Sequence, residues 1–158
     1  MDNVLFRLPL YTFCSGFVLK VIQNIYIKIL VDTTSHWSRQ IETLTFSIDI
    51  IASLFFIFLI GFYLQKQYSA KDFFLSCSLL VIYSIFVLLF EKILLFLGIY
   101  TTAIYFLQLP TYLFSFLNLI IFYLTQGEIP EFYKIIYLFS PYLFLLFAKK
   151  NKTTCKQA

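Results

Sequence analysis

Asp49 interrupts an otherwise uncharged run from Leu44 to Leu64. An ionisable group in so apolar a stretch needs a partner or a task, because burying it alone is costly. Upstream, Thr12, Gly16, Lys20, Asn24 and Lys28 recur every four residues and read as one polar face of a helix. Downstream, Thr101, Tyr105, Gln108, Thr111 or Tyr112, Ser115 and Asn118 recur at intervals of three and four in a run without charge. Glu91 and Lys92 stand side by side near the end of a further apolar run. The candidate intramembrane polar sites are therefore Lys20, Asn24, Lys28, Asp49, Glu91, Gln108 and Asn118.

Each has a docking reading and a chemical one. If Val31 and Leu44 mark one interface, Asp49 lies about 7.5 Å deep, between Lys28 at about 4.5 Å and Asn24 at about 10.5 Å. An interhelical ion pair or hydrogen bond to those two is the preferred role, ahead of proton or cation coupling. Glu91 and Lys92 point about 100° apart on a helix, so they do not pair with each other. Both are close enough to the end of their span to snorkel, which makes a structural or topological role the better one. The downstream stripe either lines a polar path for a small solute or hydrogen-bonds to neighbouring helices. Packing is favoured because no charge accompanies it.

Other chemistry finds little purchase. His36 is the single histidine, which excludes a bis-histidine haem site within the chain, and no zinc partners lie near it in sequence. A Ser-His or Cys-His pair would have to meet in space, and an interfacial histidine is the ordinary reading. Cys14, Cys77 and Cys155 form no CxxC pair, and the first two are expected to be buried. No Walker motif, glycine-rich loop or metal-ligand cluster occurs. The sequence assigns no catalytic, cofactor-binding or metal residue, and an enzyme ranks third among the function classes.

These residues must be carried by elements that suit the composition. Hydrophobic residues make up 61% of the 158 and charged residues 13%, against about 45–50% and about 25% in a soluble domain. Such a chain cannot cover a water-exposed surface, so lipid is its solvent. The expected fold is all-α and polytopic, with four transmembrane helices at 44–64, 73–97, 99–124 and 132–148, since about 20 apolar residues cross a bilayer. Pro110 predicts a kink in the third of these, and Pro141 a bend in the last. Segment 8–31 is a fifth span or an amphipathic interfacial helix; its apolar gain roughly offsets one central lysine and two amides, with the balance leaning to a span. Asp32-Thr33-Thr34-Ser35 offers N-cap residues for a helix starting near Ser35, with Trp37 at the headgroups. Pro130 and Glu131 suit the first turn of the last helix. Glycine is scarce, with 4 in the chain and no GxxxG, so helices are expected to meet through large side chains.

Residues 1–148 read as one membrane domain and 149–158 as a basic tail. Lys149, Lys150, Lys152 and Lys156 favour a cytoplasmic tail; with four spans, nine basic residues fall inside and three outside, and a fifth span moves only Arg7. The acidic start Met1-Asp2-Asn3 does not resemble a cleaved signal peptide. The cell membrane is the expected location, and an organellar inner membrane would satisfy the same count. Partners are the lipid bilayer and other membrane subunits or further copies of the chain, and no nucleic acid. The expected function is a non-catalytic accessory, structural or assembly subunit; the alternative is a small-solute transporter or channel whose two polar stripes line a path.

Overall fold

A computed structural model describes residues 4–34, 39–99, 102–125 and 137–148, and every regular element among them is helical. Helices α1 (Val4–Thr34), α2 (Arg39–Gln65) and α3 (Ala70–Phe96) are long and continuous. They are followed by three short helices, α4 (Ala103–Leu107), α5 (Leu109–Tyr112) and α6 (Ser115–Leu124), and by a 3-10 helix over Ser140–Phe147.

Among the described residues, three stretches are long and apolar enough to cross a membrane: Leu5–Asp32, Ile41–Gln65 and Ala70–Phe96. At about 1.5 Å per residue each exceeds a hydrocarbon core of about 30 Å. Their outward faces carry bare apolar side chains such as Ile51, Phe55, Ile82 and Phe86, each at least 60% exposed. The fold is thus all-α and membrane-like, but the number of spanning helices differs from the expected four and a fifth. Segment 8–31 lies within one uninterrupted helix of spanning length.

The run 99–124 does not form one span. It breaks at Gln108, just before Pro110, and again at Leu113–Phe114. Pro110 explains the first break through its missing N–H. Of the run 132–148, residues 137–148 are described and include a 3-10 helix beginning Ser140-Pro141, while residues 132–136 of that expected span lie outside the described residues. Asp32 to Thr34 belong to the end of α1, and the helix start expected near Ser35 lies outside the described residues. Ser35, His36, Trp37, Ser38, Thr101, Pro130, Glu131 and the tail from Lys149 lie outside the described residues.

The ends of α3 follow from local chemistry. Ser69 caps it: its hydroxyl accepts the Asp72 N–H at 3.3 Å, while Asp72 Oδ2 accepts the Ser69 N–H at 2.9 Å. This capping box meets donors a helix cannot satisfy internally. At the other end Gly98 has φ +69°; the Gly98 N–H reaches the Leu95 carbonyl at 3.1 Å and the Ile99 N–H reaches the Leu94 carbonyl at 2.9 Å. That pair of bonds is a Schellman closure, which needs a left-handed residue. A side chain at position 98 would meet open space, so any penalty is conformational. Gly98→Ala should cost about 1–2 kcal/mol and Gly98→Asn less, read as shifts in the denaturation midpoint of the detergent-solubilised protein.

The core forms where α1 packs on α2, α3 and α5 while the 3-10 helix packs on α3 and α2. Leu8, Leu64, Phe73, Leu80, Leu113, Phe114 and Phe144 are wholly buried in it. Large side chains do meet there, as with the edge-to-face rings of Phe114 and Phe144, 6.0 Å apart. Two glycines also sit at close contacts, outside any GxxxG repeat. A Cβ on Gly16 would fall on the carbonyl oxygen of Leu109 and lie 2.9 Å from its carbonyl carbon. A Cβ on Gly61 would lie 2.5 Å from the Phe147 ring, which sits between Phe58 and Phe62 with centroids 5.7 and 5.4 Å away. Single glycines suffice for close approach when the partner is a broken helix or a lone ring, and no GxxxG repeat is required.

Candidate functional site

Two polar assemblies lie among the helices, joined by Tyr112. The first is built on the inward face of α1. Leu8, Thr12, Ser15, Gly16 and Leu19 are buried along it, and Gln23 and Tyr26 continue the same face at spacings of three and four. Opposite them on α2, Asp49 is half-buried and both of its oxygens are bonded. Tyr26 donates its hydroxyl to Oδ1 at 2.7 Å, and Gln23 Nε2 donates to Oδ2 at 2.9 Å. Gln23 Oε1 in turn accepts Lys20 Nζ at 3.1 Å and the hydroxyl of Tyr112. The Lys20 ammonium also lies 4.8 Å from the centre of the Tyr112 ring, a cation–π distance.

One amide thus stands between a cation and an anion, donating to the anion and accepting from the cation. The cluster is neutral as a unit, which is how charge is tolerated at low dielectric. It links α1, α2 and α5 in a single hydrogen-bonded network.

The expected partners of Asp49 were Asn24 and Lys28, and both are exposed on α1. Their depth was right to within a turn, but their face was wrong. A helix turns about 100° per residue, so a strict four-residue spacing drifts about 40° at each step. From Thr12 to Lys28 the drift reaches about 160°, carrying the row from the core to the outside. Burial follows that drift: Thr12 and Gly16 are buried, Lys20 is half-buried, and Asn24 and Lys28 are exposed.

The second assembly is a cavity of about 430 Å³ between α3, the broken helix and the segment at Tyr137. Gln108, Thr111, Tyr112, Ser115 and Asn118 line one wall, so the downstream stripe is brought together from Gln108 onward. These residues come from the turn at Gln108, from α5 and from α6, so the breaks in the helix bring them to one wall. Tyr105 lies outside this wall and is exposed. From α3 come Ser84 and Glu91, and Glu91 Oε2 accepts Gln108 Nε2 at 3.0 Å. Glu91 is half-buried, whereas Lys92 is exposed beside it, so the two part as their geometry required.

The structure therefore brings together Lys20 with Asp49 through Gln23, and Glu91 with Gln108 and Asn118 around one cavity. Gln23, Tyr26, Ser84 and Tyr137 belong to these assemblies without having been singled out. For Gln23 and Tyr26 the signal was present in the three-and-four spacing from Thr12. Ser84 and Tyr137 enter from other elements and left no local signal. Cys77 is buried, with Sγ 3.1 Å from the Pro141 carbonyl, but Cys14 is exposed, contrary to expectation. Among the described residues no three His, Cys, Asp or Glu side chains converge as a metal site would need.

Comparison with protein-family models, with curated proteins and with solved structures finds no match for this chain.

Proposed function

We propose that this chain is a non-catalytic accessory, structural or assembly subunit of a membrane, whose intramembrane polar residues hold helices together. One observation carries the reading: the Asp49 carboxyl is taken up at both oxygens by α1, and the amide that binds it is itself engaged by Lys20 and Tyr112. Groups committed in this way dock helices. The partners are lipid and a further membrane subunit or a second copy of the chain, with the basic tail on the cytoplasmic side of the cell membrane.

A small-solute transporter is the second reading, favoured by the cavity beside Glu91. The two differ in where water reaches. With Cys14, Cys77 and Cys155 replaced, single cysteines at 20, 23 and 26 should resist aqueous thiol reagents from both sides if that network only docks helices. Labelling at those positions and at 108, 115 and 118 from opposite sides would establish a hydrated path and overturn the assembly reading. Asp49→Asn should be tolerated, and a proton-linked flux lost on that change would do the same. In mild detergent the assembly reading expects the chain to migrate in a species of fixed stoichiometry larger than one copy.

A further inference from the structure

The cavity beside Glu91 carries one carboxylate and one buried amide oxygen without a partner, and these two groups specify a ligand. Most of its hydroxyl donors are already committed to the protein, Ser115 aside. Ser84 donates to the Leu80 carbonyl at 2.8 Å, Thr111 to the Gln108 carbonyl at 2.8 Å, and Tyr137 to the Thr111 carbonyl at 2.9 Å. Tyr112 donates to Gln23, and the Gln108 amide donates to Glu91.

The acceptors are not matched in the same way. Asn118 Oδ1 is shielded from solvent and has no hydrogen-bond partner. Glu91 engages one donor through Oε2, and the single charge on the described lining is its own. A ligand entering here meets acceptors and one negative side chain, so it must bring N–H donors and positive charge. Val87, Leu88 and Leu138 complete the wall with apolar surface. At about 430 Å³ the space is far larger than a bare metal ion needs and suits a small organic molecule.

We propose that this cavity binds a small organic primary ammonium ion, its N–H groups directed to Glu91 and Asn118 and its carbon chain to the leucine and valine side. Three N–H donors on one cationic nitrogen reach Glu91 and Asn118 Oδ1 together, while an alcohol lacks the charge and a bare alkali cation leaves the space unfilled. The proposal stands apart from the helix-docking reading, since an assembly subunit and a transporter could both carry such a site.

The test uses the purified full-length chain in phosphatidylcholine nanodiscs, whose zwitterionic lipid supplies no net anionic surface. Butylammonium chloride should raise the thermal unfolding midpoint in a saturable manner, whereas 1-butanol, potassium chloride and tetramethylammonium chloride at equal concentration should not. The last carries the charge but no N–H. Glu91→Gln and Asn118→Leu should each weaken the butylammonium response about tenfold or more, the loss of one charge-assisted or buried hydrogen bond. If Glu91→Gln fails to fold, Asn118→Leu carries the test alone. An equal response to tetramethylammonium, butanol or potassium overturns the proposal. So does an unchanged butylammonium response in either folded variant, or no saturable response in the parent protein.

Discussion

Gly16→Val is expected to disrupt the fold more than any other single change considered for this chain. The position faces backbone, not a side chain that could swing aside: a Cβ there would fall on the Leu109 carbonyl. Relief would require α1 to move off the break between α4 and α5, its principal packing partner. Overpacking of this kind costs about 3 kcal/mol or more, a large share of a stability that is commonly about 5–15 kcal/mol. Gly61→Ala makes a useful contrast. Its Cβ would meet the ring of Phe147, the movable end of a side chain on a short 3-10 helix, so the penalty should be smaller. Denaturation of both variants in one mild detergent checks the order, and equal midpoints would contradict it.

Gln23→Leu is expected to be the most damaging change among the polar residues, exceeding substitution at the charged groups it joins. It removes bonds to Lys20, Asp49 and Tyr112 together. Interhelical hydrogen bonds in membranes average about 0.6 kcal/mol and reach about 1.7, and here a carboxyl oxygen and an ammonium are also left without their bridge, so about 2–3 kcal/mol is expected. Asp49→Asn should cost less than about 1 kcal/mol, because the new amide can offer its oxygen to Gln23 Nε2 and its NH2 to the Tyr26 hydroxyl oxygen, with Tyr26 donating instead to the Thr45 carbonyl 3.4 Å away. Unfolding midpoints of the two variants decide the matter. A milder effect at Gln23 than at Asp49 would show that charge, not the amide bridge, holds the cluster.

How far the sequence revealed this molecule depended on whether a signal was local. The apolar runs of α2 and α3 were expected at 44–64 and 73–97 and occur within Ile41–Gln65 and at Ala70–Phe96, because run length alone decides what can cross lipid. Their ends moved by a few residues where local chemistry acted, at Ser69 and Gly98. The broken run was legible only as a kink at Pro110. Its second break, at Leu113–Phe114, has both residues wholly buried, and such burial depends on elements distant in sequence.

The candidate site divides along the same line. Gln108, Thr111, Ser115 and Asn118 share a wall across two helix breaks, whereas the row from Thr12 to Lys28 lies on one unbroken helix and unwinds from inside to outside. Glu91 could be placed near a span end by counting, but its meeting with Gln108 is a tertiary fact that no spacing announces.

The seat of Phe147 over Gly61 bears on the order in which the chain is made. Synthesis delivers α2 long before the 3-10 helix, so a nascent chain inserted as far as α3 presents the Gly61 notch with nothing of its own to fill it. The seat cannot close before residue 147 has been made, so the contact between α2 and the 3-10 helix joins the described structure only after its three long helices exist.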